Sequence, residues 1–396
     1  MRMDVLDRRD KLTIFSLSVA HFINDAYSNF LGSLLPLLVD RLRISITQAG
    51  WLAAILVISS SFMQPVYGYV SDRYMKRFFA VFSPLITAVF MSCLGLANDY
   101  WTLAAILAFG GVGIASFHPQ GAALTSIASR KQKGLGMSIF VTSGNIGYSL
   151  GPVMITYAIA LFGLERSCIV MIPGLVAFGL LLWLVPRTGH STKSATPPAL
   201  RTILLPVWRP LLLLYFLVVI RSAVQMCFVN FLPLYLTQKG VPALAAGKIT
   251  SLFLFFGALG GFSGGTLADR FGGKNVISFS MLFTSPFICA FLLTDNASSY
   301  ILLALGGIAL LSTVPVNVVM AQKLVAQSAS VVSALMMGLA WGMGGMIVPI
   351  IGKIADVAGL QKALAVVGLL PIIGFLLSLL LPEEERQEIL SSETTG

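Results

Sequence analysis

Charge is what this 396-residue chain has least of. Asp, Glu, Lys and Arg together make up 11% of it, where a soluble domain carries roughly 25%. Acidic residues are the scarcer sign, 16 against 26 Lys and Arg. Cysteine is nearly absent: Cys93, Cys168, Cys227 and Cys289 all lie in apolar stretches with no paired or metal-like spacing. That excludes a disulfide framework and a cysteine metal site, and leaves them as small buried hydrophobes. Long polar segments are missing too, so no sizeable soluble domain is expected. What remains is 57% hydrophobic with a mean hydropathy of +0.88, arranged in long blocks between short charged clusters. Such blocks read as membrane spans rather than as the helices of a large soluble core.

Twelve blocks are expected to span a bilayer: 12–39, 47–71, 77–97, 100–127, 134–162, 166–186, 210–238, 244–268, 273–294, 298–325, 329–357 and 361–381. Most exceed the roughly 20 residues a crossing needs, so tilt or kinks follow. The first is too long for a signal peptide and eleven more spans follow it. With the N-terminus placed in the cytoplasm, eighteen of the 26 Lys and Arg fall on the inside, seven outside, and Arg221 inside a span. The positive-inside bias thus puts both termini in the cytoplasm of a multi-pass inner-membrane protein. The net charge of +10 reports topology and contact with anionic lipid, not nucleic-acid binding.

The stretch from Arg187 to Arg209 is rich in Ser, Thr, Pro and basic residues and parts six spans from six. It divides an N-terminal bundle (1–186) from a C-terminal bundle (210–396) through a cytoplasmic linker (187–209). The halves echo each other at a constant offset of 197: Pro36 with Pro233; Gly68, Asp72 and Arg73 with Gly265, Asp269 and Arg270; Gly147 with Gly344; Pro152 with Pro349. One offset held over four spans indicates a duplicated six-helix unit. The loops "GYVSDRYMKR" (68–77) and "GTLADRFGGK" (265–274) each join two spans on the cytoplasmic side.

On these loops the chain resembles the major facilitator superfamily over essentially its whole length, although Met75 stands where the first loop should have its second glycine. The resemblance implies an all-α fold of two pseudo-symmetric six-helix bundles that rock to expose a central site alternately to each side. It also implies gating by Gly68, Asp72, Arg73, Gly265, Asp269 and Arg270. "SGNIGYSLGPVMI" (143–155) partly resembles the Gly-x-x-x-Gly-Pro motif of proton-coupled exporters. Gly147, Gly151 and Pro152 therefore read either as gating residues or as small-residue helix packing with a proline kink.

Polar groups at membrane depth are costly and each asks for a role. Ser18, His21, Asp25, Ser28 and Gly32 are spaced three and four apart and share one helix face. His118, in "SFHPQGAAL" (116–124), lies as far from the cytoplasmic end of its span as His21 does from its own, beside a proline that loosens the helix. Arg221 is the one deep cation, with Gln225 a turn on. It stands 197 residues after Asn24, and Thr313 and Asn317 add polarity to the tenth block. These residues fall on spans 1, 4, 7 and 10, which line the cavity in the superfamily fold.

A narrower likeness rests on "HFIND" (21–25), "QPVYGYVSDR" (64–73), "FHPQGAA" (117–123) and "SIFVTSGNIGYSLGP" (138–152). Together these resemble the fosmidomycin resistance protein group, over about 130 residues of the N-terminal half and more faintly beyond it. That implies drug efflux by proton antiport, and with it antibiotic resistance. The expectation is a monomeric secondary transporter, not an enzyme, that uses protons and the proton gradient but no cofactor or metal. Asp25, His21 and His118 would couple the proton. Arg221, Asn24, Gln225, Asn317 and Thr313 would bind a small, fosmidomycin-like organic anion. Two alternatives stay open: import of an organic acid or sugar phosphate, and divalent-metal transport through the His21, Asp25 and His118 ligand set.

Overall fold

The computed structural model describes residues 7–64, 66–67, 76–130, 132–185, 205–325, 332–333 and 335–383. Among the described residues every regular element is helical, as a backbone in lipid requires, since only intrahelical bonds satisfy its N–H and C=O groups there. Among the described residues ten helical segments are long and apolar enough to cross a membrane, and a shorter apolar one runs over Ile46–Phe62. All twelve expected blocks contain helix. The first gating loop (Gly68, Asp72, Arg73) and most of the linker 187–209 lie outside the described residues.

Several spans are broken where the hydropathy is continuous. The first block forms α1 (Arg8–Ser28) and α2 (Phe30–Leu42), separated by Asn29 at φ −103°. The Asn29 amide donates to the Tyr148 carbonyl at 2.7 Å, so a side chain able to bond backbone competes with the helix ladder at this point. The second block begins as α3 (Ile46–Val57) and passes into a π-turn at Ile58–Phe62. α4 (Lys76–Ser92), α5 (Tyr100–Ala128), α6 (Lys133–Phe162) and α7 (Ile172–Leu184) follow. Pro119 does not interrupt α5, which stays helical throughout.

In the second half come α8 (Trp208–Gln238), α9 (Ala243–Phe271) and α10 (Gly273–Leu293). The tenth block splits into α11 (Ser299–Leu311) and α12 (Thr313–Leu324). Ser312 sits at the break, with its hydroxyl turned back to the Ala309 carbonyl, three residues before Pro315. A π-turn at Leu335–Ala340 leads into α13 (Trp341–Gly345), α14 (Val348–Ala358) and α15 (Leu360–Leu379). Gly359, at φ +89°, makes the reversal between α14 and α15 that a side chain would strain.

By contacts the chain forms two units. One comprises Met1–Ser45, Trp51–Thr192 and Leu236–Ser251; the other Ile46–Gly50, Lys193–Tyr235 and Leu252–Gly396. In the first, α1 lies along α6 at glycine distance. A methyl group on Gly147 would meet the Phe22 carbonyl oxygen at 1.9 Å, and one on Gly151 would meet that of Ala26 at 2.3 Å. In the second, Leu214, Leu217, Ile277, Met281, Met320 and Leu324 form the centre of a buried cluster. Large apolar side chains such as Trp183, Phe262 and Leu293 stand 80% or more exposed, the outward apolar surface that lipid covers.

Candidate functional site

Of the predicted face, Ser18, His21, Asp25 and Ser28 lie on α1, with Ser18 and His21 buried, while Gly32 falls beyond the break at Asn29, in α2. α1 is capped by Asp7, whose carboxylate accepts the Asp10 N–H at 2.7 Å, and the spacing of four on this helix places His21 and Asp25 one turn apart. His118 arrives from α5. His21 Nε2 lies 3.2 Å from Asp25 Oδ2, and His118 Nε2 lies 3.4 Å from Asp25 Oδ1. The latter is a charge contact without the alignment of a hydrogen bond, for Oδ1 is buried with no hydrogen-bond donor among the described residues. The imidazoles meet edge to face, their centroids 5.1 Å apart.

The bond on the far side of His21 fixes its chemistry. Nδ1 lies 2.7 Å from the Phe140 carbonyl oxygen on α6, and that oxygen can only accept. Nδ1 therefore carries a hydrogen. Nε2 then faces Asp25 Oδ2 in one of two ways. As N–H it makes an imidazolium against a carboxylate. As a lone pair it must receive a hydrogen from a carboxylic acid. A bare lone pair against a bare carboxylate would repel, so a proton shared between Nε2 and Oδ2 would relieve this 3.2 Å contact. Phe140 also stacks on the imidazole at 4.0 Å, 20° from parallel.

Access is graded. The side chains of His21, Asp25 and His118 are 8%, 14% and 28% exposed. His118 is thus the most exposed of the three and His21 the most buried. The ligand atoms of the three lie within 4.8 Å of one another, so these are also the residues that could hold a divalent transition metal.

Two residues that the sequence reading did not single out build this site. Phe140 supplies the carbonyl and the stacked ring. Gly144 makes the room: a methyl group there would lie 2.5 Å from His21 Cε1, 2.6 Å from its Nε2 and 2.7 Å from Asp25 Oδ2.

The other expected residues distribute as follows. Asn24 is buried, its Oδ1 accepting from the Thr87 hydroxyl on α4 at 2.8 Å. In the second unit Arg221 is buried on α8, donating to Gln225 Oε1 at 3.1 Å and to the Ser222 hydroxyl at 3.2 Å. Its guanidinium lies 5.1 Å from the centre of the Trp341 ring, an aromatic contact the sequence reading missed. The offset of 197 could have found it, because Trp341 is the repeat partner of Gly144 as Arg221 is of Asn24. Thr313 bonds back to the Leu310 carbonyl. Asn317 is buried with both amide atoms lacking a partner among the described residues. Gly265, Asp269 and Arg270 lie near the end of α9, and Asp269 and Arg270 are exposed. Gly147 and Gly151 serve as the contact between α6 and α1, and the Pro152 carbonyl in α6 accepts the Thr156 hydroxyl at 2.7 Å.

A duplicated set of membrane-spanning helices with polar residues buried in both copies defines a multi-pass membrane transporter rather than an enzyme. The Major Facilitator Superfamily model matches residues 17–349 and 240–396, and the chain belongs to that family. It is similar to the MFS-type transporter YfnC of Bacillus subtilis, 30% identical over 384 residues that cover 93% of this chain and 92% of that one. It is also similar to the fosmidomycin resistance protein of Escherichia coli, 28% identical over 381 residues, 94% and 93% of the two chains. Among solved structures, a bacterial homologue of the human lysosomal transporter Spinster superposes with a TM-score of 0.82 at 13% identity, covering 97% of this chain and 98% of that one. This last likeness concerns the fold alone.

Proposed function

We propose that this transporter is a proton-coupled exporter of a small organic anion of the fosmidomycin type. The observation that carries the reading is the pairing of His21 Nε2 with Asp25 Oδ2 at 3.2 Å, with His21 Nδ1 turned to the Phe140 carbonyl. It is an acid–imidazole pair inside a membrane span, with His118, the more exposed partner, against the other carboxylate oxygen. Asp25 is the carrier, His118 the relay and His21 the fixed partner. Arg221, held by Gln225 and Trp341, takes the anionic group of the substrate, with Asn317 and Thr313 on α12 supporting it. Asp72 and Asp269 act at the cytoplasmic gate. Both termini are cytoplasmic, and the chain works as a monomer driven by the proton gradient.

The test is uptake of fosmidomycin into inverted vesicles or proteoliposomes under an imposed pH gradient, with a lumenal pH dye, for wild type and Asp25→Asn. Asn preserves size and offers His21 Nε2 an N–H donor, so the pair stays satisfied without a transferable proton. The expected result is substrate-linked proton movement in wild type and none in the variant. Equal proton movement in both removes Asp25 as carrier. No fosmidomycin flux in either removes the substrate assignment.

A further inference from the structure

His21, Asp25 and His118 all belong to the first unit, and their spacing meets the terms of a metal site as well as those of a proton site. Zinc-class ions bind imidazole nitrogen and carboxylate oxygen at about 2.0–2.2 Å, so neighbouring ligand atoms around a tetrahedral ion stand about 3.3–3.6 Å apart. His21 Nε2 lies 3.2 Å from Asp25 Oδ2, and His118 Nε2 lies 3.4 Å from Asp25 Oδ1. Two edges of the polyhedron are therefore already near their final length. The ligand atoms all lie within 4.8 Å of one another, so the remaining edge, between the imidazoles, closes by no more than about 1.5 Å.

The surroundings of these atoms point the same way. His21 Nδ1 donates its hydrogen to the Phe140 carbonyl at 2.7 Å. A neutral His21 then aims its lone pair from Nε2 into the cluster, and a ligating imidazole ordinarily rests its other N–H on such an acceptor. Asp25 Oδ1 is buried with no hydrogen-bond donor among the described residues, so an ion would supply the positive partner that this oxygen lacks. Phe140 and Phe117 flank the His21 ring at centroid distances of 4.0 and 5.9 Å, an apolar wall of the kind that shields a metal from bulk water. The donor set selects the metal. Two imidazoles and a carboxylate suit Zn2+, Co2+ or Ni2+, whereas Mg2+ and Ca2+ call for a shell of oxygens. His118, with its side chain 28% exposed, leaves one side open for an ion to enter and for a water to complete four ligands.

The geometry points to a transition-metal site of the Zn2+ class at His21, Asp25 and His118, one ion per chain, which ties α1 to α5 and inhibits the transporter. The inhibition rests on the proposed coupling, since the ion takes Asp25 and His118 out of proton exchange. The binding does not rest on it.

The experiment is titration of the full-length protein in nanodiscs, without substrate or gradient, with Co2+ read by its visible absorption and Zn2+ read by calorimetry. Wild type is compared with His21→Ala, His118→Ala and His190→Ala, the last removing the third and final histidine of the chain. The expected result is one ion per chain, with four-coordinate Co2+ bands that Zn2+ bleaches. Affinity should fall at least about tenfold in His21→Ala and His118→Ala and hold in His190→Ala. No stoichiometric binding by wild type overturns the site, and so does binding at full strength in His118→Ala. Should His21→Ala fail to fold, His118→Ala, at the more exposed position, carries the test. A second arm reads substrate-linked proton movement in proteoliposomes with and without Zn2+. Loss of that movement on adding Zn2+ is expected, and full movement at a saturating Zn2+ concentration overturns the inhibition. No proton movement even without metal removes the coupling reading and the inhibition with it, while the binding result stands or falls on the titration.

Discussion

Gly144→Ala tests whether the buried proton site depends on how closely α1 approaches α6. The added methyl group would lie 2.5–2.7 Å from three atoms of His21 and Asp25, including the Nε2 and Oδ2 that face each other. Carbon contacts settle near 3.5–4.0 Å, so about 1 Å has to be found. The His21 ring cannot swing away, because Nδ1 is tied to Phe140 and one face is stacked on that residue's ring. If α1 retreats by about 1 Å, the 2.7 Å bond to the Phe140 carbonyl opens beyond hydrogen-bond range. Overpacking costs about 1–3 kcal/mol, and the lost buried bond adds about 1 kcal/mol. The larger effect is chemical: without that carbonyl the tautomer of His21 is free, and Nε2 is no longer set to exchange a proton with Oδ2. Proton uptake coupled to substrate flux in proteoliposomes should fall at least tenfold, with thermal stability in detergent lowered but folding retained. Gly147→Ala should be worse for folding, because its methyl group meets backbone at 1.9 Å. Gly179→Ala, with nothing within 4 Å, should be silent. Full coupled flux in a folded Gly144→Ala protein would refute the reasoning.

Three further outcomes are expected. His118→Asn should slow proton exchange while leaving substrate binding in place, since His118 is the most exposed of the three. The check is flux against binding in one preparation, and equal loss of both would make His118 structural. Trp341→Leu should weaken binding of an anionic substrate by roughly threefold to thirtyfold, the worth of a desolvated cation–π contact of about 0.5–2 kcal/mol. Trp341→Phe should recover part of it, and identical KM values for both variants would count against the contact. Asp99 caps α5, with the Thr102 hydroxyl donating to it at 2.5 Å and the Thr102 and Trp101 N–H groups at 2.9 Å. The Thr102 hydroxyl leads in holding its carboxyl below the ordinary 3.8. The support it gives is complete above pH 3.8 and is lost as pH falls through the lower folded value. Amide exchange at the start of α5 should therefore rise on acidification below pH 3.8 in wild type, and show no such step in Asp99→Asn.

The spans and the duplication are legible in the sequence because they rest on composition and on a fixed offset, both properties of the chain itself. His21, Asp25 and His118 are legible for a related reason: helical spacing and distance from a span end are enough to put them at one depth. The rest depends on groups that carry no sequence signal. The acceptor that fixes the His21 tautomer is a backbone carbonyl, and any residue at 140 would have one. Gly144 sits in a run of small residues whose other members, Gly147 and Gly151, serve packing, so its neighbours disguise it. The break at Asn29 is invisible in hydropathy, because the side chain acts on a carbonyl 119 residues away.

The repeat also shows how one scaffold acquired two chemistries. Position 144 in the first half is glycine and lets an acid–imidazole pair sit against α6. Its partner at 341 is tryptophan, and the position related to Asn24 is Arg221, whose guanidinium lies over that ring. Exchanging a glycine for an indole across the offset removes room for a hydrogen-bonded pair and supplies a face for a cation. The two copies kept their helices and divided the polar residues between them, an acid–imidazole cluster in one half and a buried guanidinium in the other.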